Sequence, residues 1–319
     1  MGSSRKTKKK KKNRNADPTR LRRLAGFCFR PRLLVAAAIV VTCVTAGPQF
    51  RSFLPQPDIF PQYRVRAANV VINEPPHWVP HNLVRQVFEL AELPDDLSLL
   101  DDELNLRLVA AFSRHPWVRR VTRVEKSWPA KVTVELTWRE PAGMVQFGEG
   151  VYPIDPEGVL LPPHDFTAAD IRSFPLIQNV RSVPDGPAGT PWGDEVIRGA
   201  ARLAEQLAKK TGRGSTHWQQ LKLKAIEVPD RVSVNDTLNG MVFVLITDGG
   251  SRIIWGRAPG ANHPGELTVD QKLDRLTRYV ADFGDFDGPG GPYEIDIRHW
   301  QEISRRPVSR LSVRGTGAR

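Results

Sequence analysis

The sequence predicts an α+β protein with a single transmembrane helix, a β-α-α-β-β unit and a second mixed β-sheet domain with flanking helices. Three observations lead to this prediction. An uncharged run of 15 residues, 33–47, follows a strongly basic segment. Two stretches with the 3.6-residue period of helices lie between strand-like stretches within 64–142. Strand-like and helical patterns then alternate through 143–300. The length of 319 residues suits about two domains.

The positive charge of the chain belongs to its first 32 residues. They contain 13 Lys and Arg and one acid, Asp17, for a net charge of +12, whereas the whole chain carries +11. The other 287 residues therefore carry a net charge of −1. We predict that 1–32 is a cytoplasmic tail beside an anionic membrane leaflet rather than a nucleic-acid-binding segment, because the rest of the chain has no basic excess.

The uncharged run predicts a membrane anchor over 33–50. A spanning helix takes about 20 apolar residues, and the residues up to Phe50 extend the run toward that length. Thirteen cations precede the run and only Arg51 closely follows it, which places the N-terminus in the cytoplasm and the remainder outside. A signal peptide cleaved after Ala46 is the alternative. The Pro-rich segment 51–63 is predicted to be a stiff linker.

The first predicted domain spans 64–142. In chain order we expect a strand, two helices and two strands, at 63–72, 79–90, 97–112, 117–127 and 131–138. The last strand alternates apolar and polar residues without a break. The strand before it alternates less cleanly and carries many charges, which predicts an edge strand or a strand with one wet face. Trp128-Pro129-Ala130 is the predicted turn between the two strands.

The second predicted domain spans 143–300. Its expected elements are a hairpin at 152–162, a helix at 194–210 stopped by Gly212, a central strand at 241–246, a turn at 248–250, a helix opened by the capping box Thr268-x-x-Gln271 and a strand at 293–300. The strand at 241–246 is expected to be central because it is continuously apolar. The basic segment 301–319 is a predicted extension, in which 306–313 could add a strand.

No pattern in the sequence predicts catalysis. The signatures of zinc proteases, nucleophile elbows, P-loops and dinucleotide sites do not occur. His77 and His81 have a metal-binding spacing, but Pro80 breaks the helix that they would share. Acidic pairs are explained by helix starts and turns, and the tryptophans by packing. Cys28 and Cys43 both precede residue 50, which excludes disulfides and Cys-based metal sites after it. We therefore predict no catalytic residue, no metal and no cofactor.

Several short motifs follow one another along the chain. His115-Pro116-Trp117-Val118 follows the second predicted helix, Trp128-Pro129 forms the turn, and Glu140-Pro141-Ala142 follows the last strand of the first domain. With these motifs, 97–147 resembles the POTRA domain of the bacterial cell-division proteins FtsQ and DivIB. Later segments resemble the second domain of that family in the same order, at 152–162, 174–177, 244–256 and 293–300. The resemblance covers roughly 33–300.

The resemblance implies a non-enzymatic scaffold of the division septum, anchored once in the inner membrane and without a nucleic-acid partner. In that family the POTRA domain helps recruitment, and the second domain binds the FtsB/FtsL complex through a strand that FtsB adds to a sheet edge. An open edge offers unpaired N–H and C=O groups, so such pairing is physically sound. We place this edge on 293–300, and on 306–313 if that segment forms a strand. The predicted partner-binding residues are Ile295, Ile297, Arg298 and Trp300, for which ordinary sheet packing is the alternative role.

Two other functions stay open at this point. Another POTRA-containing export or outer-membrane assembly factor would carry tandem POTRA repeats or a long series of alternating strands, and the sequence has neither pattern. An exported cell-wall enzyme would use His and Asp residues, which the sequence contains without a recognisable catalytic spacing.

Overall fold

The computed structural model describes residues 35–36, 38–42, 44, 60–212, 214–229, 240–261 and 263–308. The chain divides into two units, Met1–Phe60 and Pro61–Arg319. In the first unit, the described residues between 35 and 44 are helical. The predicted tail 1–32, Cys28, Cys43 and residues 51–59 of the predicted linker lie outside the described residues.

The prediction of a transmembrane helix over 33–50 is wrong. Among the described residues, no helix combines the length and the apolar character that a membrane crossing requires. The length of the apolar run explains the error. A helix of the length of this 15-residue run would rise only about 22 Å, whereas the hydrocarbon core of a bilayer is about 30 Å thick. Extending the run to Phe50 takes it through Pro48, which cannot donate a helical hydrogen bond.

The first half of the second unit contains five strands and two helices among its described residues. They are β1 (Arg64–Val65), β2 (Val70–Ile72), α1 (Leu83–Leu90), β3 (Leu97–Ser98), α2 (Leu104–Ser113), β4 (Val118–Ser127) and β5 (Lys131–Trp138). One sheet has the order β2-β5-β4, with β2 parallel and β4 antiparallel to β5. The predicted order of elements is found, with the small β1–β3 sheet in addition. β4 is an edge strand, as its charged pattern predicts.

Local backbone chemistry explains where these elements differ from the prediction. The first predicted strand is split by a 3-10 turn at Ala67–Asn69, in which the Asn69 side chain accepts a hydrogen bond from the backbone N–H of Arg66. Helix α1 begins at Leu83 and not at 79, because Pro80 disfavours helical backbone in the residue before it. Strand β5 has the bounds that its alternation predicts.

The second half of the unit contains an eight-stranded sheet with four helices among its described residues. The elements are β6 (Gly143–Phe147), β7 (Gly150–Ile154), α3 (Ala168–Ser173), β8 (Leu176–Gln178), α4 (Glu195–Ala208), α5 (His217–Gln220), β9 (Leu223–Glu227), β10 (Phe243–Thr247), β11 (Arg252–Gly256), α6 (Val269–Phe283), β12 (Tyr293–Asp296) and β13 (Ser304–Pro307). The strand order is β13-β12-β11-β10-β9-β8-β6-β7. β10 lies inside this sheet, which confirms the predicted central strand.

Helix caps and turns account for the ends of several elements in this half. The Asp194 carboxylate caps α4, and Thr268 with Gln271 forms the predicted capping box of α6. Helix α4 ends at Ala208 and so does not reach its predicted stop. The predicted hairpin at 152–162 forms only in part, because the segment after β7 makes isolated bridges in place of a second strand.

Two hydrophobic cores organise the second unit. One lies between α1, α2 and the three-stranded sheet, and the other lies between α4, α6 and the eight-stranded sheet. The division between them is close to the predicted domain boundary at 142/143. Arg139, just after β5, donates to the fully buried Asp155 at 2.6 Å, and Asp155 also accepts from the N–H groups of Glu157 and Val159. This one carboxylate ties the end of the first half to the turn after β7.

Candidate functional site

Strand β13 forms one edge of the eight-stranded sheet. It pairs antiparallel with β12, with Arg306 opposite Glu294. In the same register, the N–H of Val308 donates to the carbonyl of Pro292 at 2.8 Å. Hydrogen-bonded and non-hydrogen-bonded pairs alternate along antiparallel strands. Ser304 and Arg306 therefore direct their backbone groups toward β12.

The open side of β13 offers few hydrogen-bonding groups. By the same alternation, Arg305 directs its N–H and C=O away from β12, and so does Ile303 just before the strand. Pro307 comes next in this row and has no N–H. No further strand pairs with β13 in the part of the chain that the structure describes. The open edge thus presents two complete residues and one lone carbonyl, which suits a short incoming strand.

The edge does not lie on 293–300, but it overlaps the start of the possible strand at 306–313. β12 covers only the first half of 293–300 and is flanked by β11 and β13, so the prediction of an edge on this segment is wrong. The edge lies in the segment predicted as an extension, 301–319. Of the possible strand at 306–313, residues 306 and 307 belong to β13 and 309–313 lie outside the described residues. The letters of β13, "SRRP", contain no apolar residue, so apolar alternation could not reveal this strand.

Two of the four predicted partner-binding residues are interior. The side chains of Ile295 and Ile297 are fully buried in the core of the eight-stranded sheet. A strand added outside β13 would be separated from β12 by the whole width of β13. These two isoleucines therefore belong to the hydrophobic core, and any contact with a partner must be made by residues nearer the surface.

The third predicted residue, Arg298, is held by Asp296. Its Nε and Nη2 donate to the two carboxylate oxygens at 3.0 and 2.7 Å. Burial raises the pKa of Asp296, but the hydrogen bonds and charge of Arg298 outweigh burial and hold that pKa below its ordinary value. Gly256, at φ 96°, packs against this side chain: a Cβ there would lie 2.6 Å from Oε1 of Glu266 and 3.3 Å from Cδ of Arg298. Only glycine fits this approach.

A buried ion-pair cluster adjoins Arg298. Glu266 accepts from Nζ of Lys272 at 2.5 Å and from Nη1 of Arg257 at 2.9 Å. Lys272 is almost fully buried, and its Nζ lies 4.9 Å from the centre of the Trp255 ring. Burial lowers the pKa of Lys272, and the hydrogen bond and charge of Glu266 offset that effect only in part. The cluster fastens the loop before α6 to β11 beside the segment that carries Arg298.

The fourth predicted residue, Trp300, lies in a loop that α6 holds in place. The guanidinium of Arg275 donates to three carbonyls of this loop, among them those of Ile297 at 3.0 Å and Trp300 at 3.2 Å. The Trp300 side chain is 61% exposed, and its Nε1 donates to the carbonyl of Gly265 at 2.8 Å. Trp300 therefore presents a fixed aromatic surface just before β13.

The motif His115-Pro116-Trp117 connects α2 to β4, as predicted. Trp117 is fully buried, and its Nε1 donates to Oδ2 of Asp165 at 2.7 Å. Nδ1 of His115 accepts from the Trp117 N–H, so Nε2 carries the proton and donates to Gln86 at 3.2 Å. Burial lowers the pKa of His115 to about 4, with Asp165 acting weakly in the opposite direction. Both ring nitrogens are thus engaged in holding the first half together.

The remaining residues of the motifs lie at turns. Trp128 and Pro129 form the turn between β4 and β5, where the Trp128 side chain is 68% exposed. The N–H of Ala130 donates to the carbonyl of Gln62 at 2.8 Å and ties this turn to the start of the unit. Pro141 is half-buried after β5 and lines a cavity of about 400 Å³.

Two residues of the β13 edge, Arg275 and Arg305, were missed from sequence. Arg275 lies on a helix, and nothing in the pattern of its polar residues indicated that one of them binds backbone carbonyls. Arg305 lies in the basic segment predicted as an extension, just before the possible strand at 306–313 that contains Pro307. Proline and cations are frequent on edge strands, so "SRRP" did carry a signal for an edge.

Neither a search for metal-binding groups of side chains nor the comparisons with known proteins identify a function for the chain. Within the described ranges, no three His, Cys, Asp or Glu side chains are grouped so that they could hold a metal ion. A scan against protein-family models and a search of curated proteins found no match to the chain.

Proposed function

We propose that this chain is a non-enzymatic scaffold of bacterial cell division of the FtsQ/DivIB type. It acts outside the cytoplasm at the septum and binds an FtsB/FtsL-type complex. The edge of β13 is the observation that carries this proposal, because among the described residues no strand pairs with its outward backbone groups, which are left for a partner strand. The motifs around His115, Trp128 and Pro141 follow one another along the chain in the order of the FtsQ/DivIB POTRA domain, which supports the same family.

The edge is well prepared to receive a strand. Four residue pairs fix β13 on β12, and Nη2 of Arg306 donates to Oε1 of Glu294 at 2.9 Å across them. Arg275 holds the loop that leads into the edge. Because this edge is already formed, few groups of the protein need to become ordered when a partner docks. The entropic cost of binding is therefore smaller, which favours the complex.

Contacts beyond the edge itself are needed for a stable complex. The row of free backbone groups spans only Ile303 to Pro307, which is short for a ladder that acts alone. The exposed ring of Trp300 lies just before this row, and exposed aromatic side chains frequently anchor interfaces. Arg298, paired with Asp296, adds charge nearby. Of the predicted residues, we therefore assign direct partner contact to Trp300 and Arg298.

The edge-pairing proposal can be tested with Arg305→Pro in the full-length chain. This change removes the outward N–H and places a ring where the partner strand would lie, while the ladder to β12 uses Ser304 and Arg306. We expect its affinity for the FtsB/FtsL-type complex of the same organism to fall by about tenfold or more relative to Arg305→Ala. Arg305→Ala is the matched control, since it removes the same side chain and keeps the N–H.

The outcomes separate the parts of the proposal. Equal affinity of Arg305→Pro and Arg305→Ala would disprove pairing at this edge. Failure of the unmodified chain to capture the FtsB/FtsL-type complex, or a uniform distribution of a tagged chain away from septa, would disprove the scaffold role. Turnover of peptidoglycan by the purified chain would disprove its non-enzymatic character.

A further inference from the structure

A cavity of about 280 Å³ lies beside the open edge, between α6 and the row of outward backbone groups. Its lining includes Arg278, Tyr279 and Phe283 from α6, and Ile303 and Arg305 from the edge. The backbone hydrogen bonds that would pair a partner strand with β13 do not involve this cavity. Strand pairing alone therefore does not explain it.

The hydroxyl of Tyr279 is unexplained by the fold. The side chain is only 3% exposed, and its ring packs against Phe283 at 4.7 Å and Phe286 at 5.2 Å between ring centres. Within the described residues, the enclosed hydroxyl makes no hydrogen bond. Buried tyrosine hydroxyls usually have a partner, and phenylalanine would fill this aromatic stack equally well. The position therefore holds a hydrogen-bond donor whose acceptor lies outside these residues.

Charge around the cavity indicates the kind of acceptor. Arg275, Arg278 and Arg305 line it together with two acids, Asp282 and Glu302. Neither Arg278 nor Arg305 has a carboxylate within ion-pair distance among the described residues. An anionic acceptor would meet two cations that lack an ion pair and one unsatisfied hydroxyl. A carboxylate fits this combination better than a neutral carbonyl.

Strand geometry connects the cavity to the proposed partner. The Arg305 side chain lies on the α6 side of the sheet, since its guanidinium carbon is 3.5 Å from the centre of the Tyr293 ring and 5.8 Å from that of Phe283. Residues directly opposite on antiparallel strands point to the same face. A partner residue paired with Arg305 therefore projects its side chain toward the cavity.

We propose that this cavity receives the carboxylate of an Asp or Glu side chain from the strand that docks on β13. The Tyr279 hydroxyl donates to this carboxylate, and Arg278 and Arg305 balance its charge. The hydroxyl oxygen is enclosed in the free protein, so the side chains around it shift as the carboxylate enters. Burial raises the pKa of Tyr279, which keeps the hydroxyl protonated as a donor. The inference rests on the proposed function, because it specifies the chemistry of the docked segment.

The test is Tyr279→Phe in the full-length chain. Without a partner, we expect the thermal midpoint to stay the same or rise, because the change removes an unsatisfied buried hydroxyl. With the FtsB/FtsL-type complex, we expect the affinity to fall by about tenfold or more, since a hydrogen bond to a charged acceptor is lost. Tyr152→Phe is the matched control: Tyr152 lies on β7, at the opposite edge of the sheet, and its change should leave binding intact.

Partner variants complete the test. Each Asp or Glu of the docking segment is replaced singly by Asn or Gln and titrated against the unmodified chain and against Tyr279→Phe. We expect one partner substitution to lower the affinity for the unmodified chain by about tenfold and to change the affinity for Tyr279→Phe little. The reason is that this substitution and Tyr279→Phe remove the same hydrogen bond.

Each result decides one of the two proposals. If the unmodified chain binds and Tyr279→Phe binds equally well, the carboxylate site is disproved and the scaffold role stands. If Tyr279→Phe lowers the thermal midpoint of the free protein as a lost hydrogen bond would, the hydroxyl already has a partner and the inference falls. If the unmodified chain does not bind, the proposed function fails first and the carboxylate site falls with it.

Discussion

The neutral, buried His115 predicts a pH dependence of stability that one substitution can isolate. Its pKa in the folded protein is lowered from 6.5 to about 4, chiefly by burial. Because the folded value is lower than the unfolded one, the unfolded chain binds a proton first as the pH falls. The stability from neutral His115 is therefore complete above about pH 6.5 and declines until about pH 4.

The magnitude follows from the two pKa values. At about pH 5 the histidine of the unfolded chain is almost fully protonated and that of the folded chain is almost neutral. The free energy of unfolding should therefore fall by about 2 kcal/mol between about pH 7 and about pH 5 from this group alone. For a unit of this size the melting temperature should fall by about 4–8 °C.

Chemical denaturation of the wild type and of His115→Gln at both pH values measures this effect. The glutamine cannot titrate, and its amide can still accept from the Trp117 N–H and donate to Gln86. The other six histidines are common to both proteins, so the difference between the two pH dependences reports His115. Equal pH dependences, or an NMR titration of His115 near its ordinary pKa, would show that the ring is not held neutral as described.

Three further substitutions probe the fold by thermal or denaturant unfolding. Asp155→Ala leaves the guanidinium of Arg139 without its partner in a buried site, and we expect a loss of about 3–5 kcal/mol; a loss below about 1 kcal/mol would mean that water replaces the carboxylate. Thr268→Ala removes the cap of α6 and should cost about 1 kcal/mol, whereas an unchanged stability would show that the cap is redundant. Leu106→Gln lies on the exposed side of α2 and should change the stability by less than about 0.5 kcal/mol, so a larger loss would reveal a contact of this leucine.

Elements with strong local signals could be predicted from the sequence. Strand β5 has its predicted bounds because alternation, a preceding turn and a following Pro141 all agree. Helix α6 begins at its capping box. Where several local signals agree, they determine the bounds of an element, and tertiary packing changes those bounds little.

Elements whose position depends on distant neighbours could not be predicted. The edge was placed on 293–300 by position in the family resemblance, yet β13 covers β12 through a register that only the folded sheet defines. The transmembrane helix was predicted from the uncharged run and from the cations before it, but a run of 15 residues is short for a bilayer. The Tyr279 hydroxyl had no signal in the sequence, since a tyrosine at a buried helical position resembles any other core aromatic.

The short, proline-ended β13 also bears on the solubility of the protein. A long flat edge invites copies of the same chain to add strand after strand, which is the first step of fibre growth. Here a second β13 could pair over three residues before the ring of Pro307 removes the next donor, and the like charges of Arg305 and Arg306 on both copies would repel. The same four residues that leave the sheet open to a foreign segment therefore discourage its polymerisation.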